Sequence, residues 1–304
     1  MPTDARLSGI FLPVTTPFDP VTGEIAPVSF RDNLRRWVDE PIDGIVLFGS
    51  TGEGALLDED EKVRLTGFAR EVVPPGIALV AGASGESTRA TIRQCRELAA
   101  AGAEYMLSHA PWYFGPYLPV AALLDHYRAV ADASPVPVIV YHMPKYTKVV
   151  IDPGLMGELL RHPNIAGMKD SSGEVKRFAD YTDSSPAGKA LFVGNGTLLY
   201  TALELGGAGG VLAVADFAPA ECAEIVAAFR EGDTARAGRV QERMSTAHRS
   251  IVGTWGAVGV KAALDQLGWS GGPPRPPLRP LGEADQRKLA GVLRDTGLLA
   301  AART

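Results

Sequence analysis

The 304 residues suffice for two ordinary domains or one large alternating barrel, and either would bury a full core. With 46% hydrophobic and 21% charged residues and a net charge of −5, the composition is that of a soluble globular protein without the basic excess that attracts nucleic acid. No apolar run approaches the length of a membrane span, so neither nucleic acid nor a membrane is expected as a partner.

The segment from Met1 to Leu7 lacks the charged region and apolar core of a secretion signal, which predicts a cytoplasmic protein. From Gly9 onward, short β-type runs alternate with amphipathic stretches. The strand candidates are residues 9–14, 42–48, 77–81, 104–108, 136–141, 164–169, 190–193 and 209–214. Helical periodicity covers 30–38, 63–73, 90–100, 121–133, 155–161, 175–181, 198–205 and 221–229. Runs such as Pro137-Val138-Ile139-Val140 carry no interior charge, as a sheet covered on both faces requires. Eight strand–helix units predict an α/β fold of the (β/α)8 TIM-barrel type over residues 1–229.

Beyond about residue 229 only helical patterns continue, at 235–250, 258–267 and 283–299. They predict a three-helix extension, residues 230–304, packed on the barrel. Gly271-Gly272-Pro273-Pro274-Arg275-Pro276-Pro277-Leu278 separates the last two as a stiff connector. Cys95 and Cys222 fall in helical stretches without metal-ligand spacing and read as reduced packing residues. His109, His126, His162 and His248 are scattered, with no pair at metal-ligand spacing, and receive no role.

In a strand–helix barrel the working groups lie at the carboxyl ends of strands. Asn164-Ile165-Ala166-Gly167-Met168-Lys169-Asp170 reads as a buried strand that delivers one amine to such an end. Desolvation disfavours the ammonium, so the Lys169 pKa falls toward the range where a neutral amine attacks a carbonyl and forms a Schiff base. The plain alternative is a lysine that snorkels into solvent. Tyr141 ends the preceding strand, and a phenol there can pass protons between amine and carbonyl; a half-buried packing tyrosine is the alternative. After the second strand, Gly49-Ser50-Thr51-Gly52-Glu53-Gly54 offers hydroxyls and free amides to a small anion such as a carboxylate. It matches neither the phosphate-binding loop nor the dinucleotide glycine spacing.

Gly49-Ser50-Thr51-Gly52-Glu53, Tyr141-His142-Met143-Pro144 and Gly167-Met168-Lys169-Asp170, at these separations, resemble the dihydrodipicolinate synthase and N-acetylneuraminate lyase family of class I aldolases. The opening Gly9-Ile10-Phe11-Leu12-Pro13-Val14-Thr15-Thr16-Pro17-Phe18 and the stretch from Gly271 to Leu278 fit as well, so the likeness covers nearly the whole chain. It implies a barrel with three trailing helices that acts on pyruvate or another 2-keto acid through a lysine Schiff base, without metal or other cofactor. By position, Lys169 is the Schiff-base lysine and Tyr141 the proton shuttle, while Ser50 and Thr51 hold the keto-acid carboxylate and Ser50 relays the proton. Tyr113, in Pro111-Trp112-Tyr113, matches the tyrosine lent to a neighbouring site across a dimer interface. The implied assembly is a homotetramer, a dimer of dimers, and the partners are a 2-keto acid and an aldehyde.

Departures from the family pattern bear on the substrate. Two residues after Pro144, where the lysine-biosynthetic synthases carry an arginine for a distal carboxylate, stands Tyr146, whose phenol makes no bidentate charged pair. Lys145 and Lys148 are the alternative sources of positive charge. After the seventh strand, Gly194-Asn195-Gly196-Thr197 lacks the acidic residues with which sialic acid lyases bind sugar hydroxyls; Asn195 offers a hydrogen-bonding amide and Gly196 no side chain, so a long polyol tail is poorly held. His142 stands where a small or amide residue is usual; it is a candidate to contact the substrate or to assist proton transfer or a dehydration, and the reading as a satisfied packing residue stands beside it. Lys148 replaces a common glycine and predicts a loop of different shape. The leading expectation is a pyruvate-dependent aldolase for a 2-keto-4-hydroxy acid, such as 4-hydroxy-2-oxoglutarate or a 2-keto-3-deoxy sugar acid. A dehydratase or hydratase-aldolase, dihydrodipicolinate synthase and a non-catalytic keto-acid-binding protein are the alternatives.

Overall fold

The computed structural model describes residues 6–299. Its eight strands are β1 (Gly9–Leu12), β2 (Gly44–Leu47), β3 (Ala78–Gly82), β4 (Tyr105–His109), β5 (Val138–His142), β6 (Ile165–Asp170), β7 (Ala190–Val193) and β8 (Gly209–Val211). All are parallel and neighbour one another in chain order, and β8 closes on β1 through Gly9↔Gly209 and Phe11↔Val211. The helices that return the chain are α1 (Pro27–Trp37), α2 (Glu59–Val72), α3 (Thr88–Ala100), α4 (Val120–Ala133), α5 (Pro144–Thr147), α6 (Pro153–Leu160), α7 (Val175–Ser184), α8 (Leu199–Glu204) and α9 (Pro219–Arg230).

The period-two pattern of the strands sorts side chains into two cores. On β5, Val138 and Val140 pack against the helices, whereas Ile139 and Tyr141 join Phe11, Val46, Val80 and Phe192 inside the barrel. Alternation thus aims every second residue at the barrel axis, where a strand-end side chain meets the mouth. Local chemistry sets the helix starts. Asp58 and Glu61 form a capping box on α2, Ser87 caps α3, and Asp152 caps α6 by accepting the Leu155 N–H at 2.9 Å. Each such cap stabilises by about 1 kcal/mol.

Three segments depart from the sequence expectation. The run over 209–214 pairs only as far as Val211, then tightens into a 3-10 turn, Ala213–Asp216, which buries Asp216 completely. The chain after β5 forms the four-residue α5, and Lys148 behind it takes a left-handed backbone (φ 58°) with Nζ donating to the Lys145 carbonyl at 2.8 Å. A lysine therefore adopts here the conformation that glycine adopts most easily, and its amine is bonded to its own turn.

In the tail, α10 (Thr234–Ala247) runs through a π-helical turn, His248–Gly253, into α11 (Thr254–Gln266). The two patterns expected as separate helices are one bent rod, re-angled again where Gly256 adopts φ 58° and ψ −138°. The final helix, α12 (Glu283–Asp295), stops short of the expected 299. Met244, Ile251, Val260, Leu264, Leu289 and Leu293 of this extension share one hydrophobic cluster with the outer layer of the barrel. Among the described residues, no helix is long and apolar enough to cross a membrane.

Buried charge also fixes the tail to the barrel. Glu53, at φ 55° in the loop after β2, takes the Lys261 Nζ at 2.5 Å and the Arg275 backbone N–H at 2.8 Å. Lys261 also donates to the Pro273 carbonyl at 2.8 Å, and the Arg275 guanidinium bonds both oxygens of Glu61 at 2.5 and 2.7 Å. The loop that carries Ser50 and Thr51 is thereby tied to α11 and to the proline-rich connector.

Candidate active site

A cavity of about 250 Å³ opens at the carboxyl ends of the strands. Ser50, Thr51, Tyr141, Lys169, Gly194 and Asn195, six of the eight residues expected at the site, line it together. Tyr141 and Lys169 are register partners on β5 and β6, and both point into the barrel. The Lys169 Nζ lies 4.3 Å from the centroid of the Tyr141 ring.

Both groups are almost fully buried, at 4% exposure each. Burial pushes the Lys169 amine down to about 7, against an opposing pull from the charge of Asp216. Near neutrality a large share of the amine is thus unprotonated and nucleophilic. Burial raises the Tyr141 hydroxyl above its ordinary value, while hydrogen bonds with Ser171 and Ser50 oppose the rise. Tyr141 is therefore a protonated phenol wired to two hydroxyls, an arrangement suited to moving a proton at the mouth. Thr16 fixes the Ser50-Thr51 loop by donating its hydroxyl to the Gly52 carbonyl at 2.8 Å.

Gly194 matters for the room it leaves. A Cβ on it would stand 1.9 Å from Ser171 Oγ and 3.0 Å from Lys169 Cε, so any side chain there would drive off the Ser171 hydroxyl and press on the lysine. Asn195 holds a fixed orientation, because its Oδ1 accepts from the backbone N–H and the hydroxyl of Thr197 at 3.0 and 2.9 Å. Its amide nitrogen is left as the donor.

His142 does not reach the cavity. One residue beyond Tyr141, it lies on the opposite face of β5, 1% exposed, and donates Nδ1–H to Asp170 Oδ1 at 2.7 Å. The Tyr181 hydroxyl oxygen is 3.2 Å from the same nitrogen and donates to the Ile151 carbonyl at 2.5 Å. The expected substrate contact at His142 is corrected to this packing role between β5 and α7. Tyr113 does not line the cavity either: its side chain is 68% exposed, stacked edge-on against Phe114, while its backbone N–H bonds Glu86 at 2.8 Å.

Several residues at the site carried no role in the sequence reading. Ser171 hydrogen-bonds Tyr141, and its position in the turn after Lys169 was the available signal. Asp216 is wholly buried, with neither carboxylate oxygen hydrogen-bonded among the described residues, and its pKa is raised well above the usual range by burial, against the pull of the Lys169 charge. His248, Val252, Gly253 and Gly256 bring the π-turn and α11 over the mouth. Burial, with the charges of Arg249 and Lys145, lowers the His248 ring to about 4, so it is neutral. Among the described residues no group of three or more His, Cys, Asp or Glu is disposed to hold a metal ion.

Comparison with known proteins accords with this geometry. The profile of the Dihydrodipicolinate synthetase family matches residues 6–296. The 4-hydroxy-tetrahydrodipicolinate synthase of Syntrophus aciditrophicus (strain SB) is 31% identical over 291 residues, covering 96% of this chain and 99% of that protein. A solved dihydrodipicolinate synthase from Bacillus anthracis superimposes with a TM-score of 0.91 at 27% identity, over 95% of this chain and 98% of the other. YagE of Escherichia coli K12, a prophage protein of the dihydrodipicolinic acid synthase family solved in complex with pyruvate, gives a TM-score of 0.90 at 25% identity, over 96% and 99% of the two chains.

Proposed function

The chain belongs to the dihydrodipicolinate synthetase family of pyruvate-dependent carbon–carbon lyases, and we propose that it cleaves or forms a 2-keto-4-hydroxy acid, with pyruvate as one product or substrate. The observation that carries this reading is the buried Lys169 amine, lowered to about 7 and set 4.3 Å from the Tyr141 ring.

In cleavage, the neutral Lys169 amine attacks C2 of the substrate, and Tyr141, with Ser50 and Ser171 behind it, returns a proton to the departing hydroxyl so that water leaves. The protonated imine draws electrons from C3. Tyr141, now a phenolate, takes the proton of the C4 hydroxyl, the C3–C4 bond breaks, and an aldehyde departs from the enamine. Protonation at C3 and hydrolysis release pyruvate and restore the amine; condensation runs the same path in reverse. Ser50 and Thr51 hold the keto-acid carboxylate, and Asn195 and Gly194 border the remainder of the substrate.

Tyr113 completes the reading only in an assembly. Its ring, with those of Trp112 and Phe114, forms an exposed aromatic loop. A second, largely apolar cavity of about 420 Å³, lined by Trp112, Trp255 and Leu278, adjoins Ser50 and Tyr141. We place a partner protomer's aromatic loop in that cavity, within a dimer of dimers. Buried free thiols at Cys95 and Cys222 suit the cytoplasmic setting expected from the sequence.

Incubation with pyruvate, borohydride reduction and peptide mass spectrometry test the chemistry. An adduct on Lys169, absent in Lys169→Ala, is the expected result. A folded protein that forms no adduct with pyruvate or 2-oxobutyrate is not an aldolase of this class, and pyruvate binding that survives Lys169→Ala without turnover in the parent points to a non-catalytic binder. Product mass separates cleavage from dehydration, which keeps the carbon skeleton whole. Condensation assays test the synthase reading, which draws on the names of the relatives and lacks an arginine at Tyr146.

A further inference from the structure

The cavity is polarised in a way that the Schiff-base chemistry does not require. Among its lining residues there is no aspartate or glutamate, yet two lysines, Lys169 and Lys145, face it. Lys169 is committed to the keto carbon. Lys145, on the exposed turn of α5, makes no ion pair among the described residues, and its Nζ stands 5.7 Å from the ring of Tyr146, which also lines the cavity. Lys148, the other candidate cation of this loop, is bonded back to the Lys145 carbonyl and lines no part of the cavity.

The neutral groups beside Lys145 are biased toward donation. Asn195 has spent its oxygen on Thr197, so its amide N–H groups are what remain for a ligand. His248 is brought over the mouth by the π-turn, and only a glycine at 196 admits it: a Cβ there would stand 2.8 Å from His248 Nδ1. A polyol tail needs acceptors as well as donors, and carboxylate acceptors are absent from this lining. A second carboxylate needs what is present: an unpaired cation and N–H donors, in a cavity of about 250 Å³ that suits a short chain.

We propose that the substrate is a short dicarboxylate, a 2-keto-4-hydroxy acid whose second carboxylate is bound at the outer end of the cavity by Lys145, Asn195 and His248. This rests on the aldolase reading and narrows it to acceptor aldehydes that carry a carboxylate. Tyr146 takes no part in the charge pairing; Lys145, its neighbour in sequence, supplies the cation from the adjoining position.

The test compares pyruvate release from 4-hydroxy-2-oxoglutarate and from 4-hydroxy-2-oxopentanoate, which has a methyl group in place of the second carboxylate. The parent protein is first shown to form the pyruvate adduct on Lys169. The expected kcat/KM favours the dicarboxylate by about tenfold or more, the scale of one charge-assisted contact. That preference falls about tenfold in Lys145→Met and inverts in Lys145→Glu, and it weakens with added salt because Lys145 is exposed. Asn195→Leu reduces it independently of the lysine. If the adduct forms but the parent cleaves both acids equally, or the preference survives in Lys145→Met, the dicarboxylate assignment is overturned while the aldolase reading stands. Absence of the adduct overturns both.

Discussion

Lys169, 4% exposed, and Asp216, wholly buried, act on each other through their charges without a hydrogen bond, and neither Asp216 carboxylate oxygen has a hydrogen-bond partner among the described residues. The amine is held low by burial and drawn back up by the carboxylate, and the carboxyl is held high by burial and drawn back down by the amine.

The first consequence is a pH profile for imine formation. Only the unprotonated amine attacks, and Lys169 is lowered to about 7, so the single-turnover rate of trapping with pyruvate and borohydride rises through an inflection near neutrality. A profile that stayed flat until the ordinary lysine range would show that the amine is solvated.

Asp216→Asn removes the charge that, among the described residues, favours the Lys169 ammonium, and the inflection moves to lower pH. Stability gives a second readout. A carboxyl whose folded pKa is raised contributes stability below its unfolded value and loses it as pH rises through the folded one. At neutral pH the asparagine variant therefore melts at or above the parent temperature, and a large loss in Tm would contradict the unpaired state of Asp216.

His142 on β5 and Asp170 on β6 form a structural pair beneath Tyr181 of α7. Asp170→Ala strips acceptors from His142 Nδ1 and from the Ser172 hydroxyl, which donates at 2.7 Å. Leaving the buried His142 nitrogen without its carboxylate costs about 1–3 kcal/mol, and the half-buried Ser172 hydroxyl adds less because water can replace its acceptor. Chemical denaturation measures this as a lowered midpoint, and His142→Asn is expected to lower the midpoint without displacing the pH inflection of imine formation.

Lys261→Met leaves Glu53 as a buried carboxylate with one partner fewer, at a cost of about 3–5 kcal/mol. The loss appears in the denaturation midpoint and also in KM for pyruvate, because the same loop carries Ser50 and Thr51. A variant with parental KM and lower stability would confine the ion pair to holding the tail.

Complementation between protomers tests the place of Tyr113. Tyr113→Phe and Lys169→Ala are each expected to be impaired, the second completely. If the ring serves a neighbouring site, dissociating and reassociating the two variants together generates hybrid dimers in which one site has both an intact lysine and a donated tyrosine. Activity of the mixture above the sum of its parts is the expected outcome.

The barrel was legible because its strands alternate and its helices repeat every three to four residues, and Lys169 and Tyr141 were legible because each ends an apolar run. Between the two readings of His142, alternation alone decides for packing: with Tyr141 turned inward, the next side chain goes to the helix layer. Asp216 and His248 carried no local signal. One lies just past a run, 209–214, that reads as strand to its end but tightens into a 3-10 turn, the other in a helical pattern whose π-turn leaves no mark on residue type. Their relevance arises only when the turn after β8 and the tail come to the mouth where β6 ends, which is contact between segments far apart in the chain.

The π-turn at His248–Gly253 also says how such a site can be retuned. A π-turn accommodates one residue more than an α-helical turn, so its register depends on chain length rather than on residue type. Deleting a single residue within it would restore α-helical winding and swing His248 by about 100° around the helix axis relative to Ala257. One imidazole would leave the mouth and a different side chain would take its place, with every barrel strand untouched. An indel in a helix remote in sequence from the lysine is thus a route to a new substrate that no point substitution in the barrel supplies.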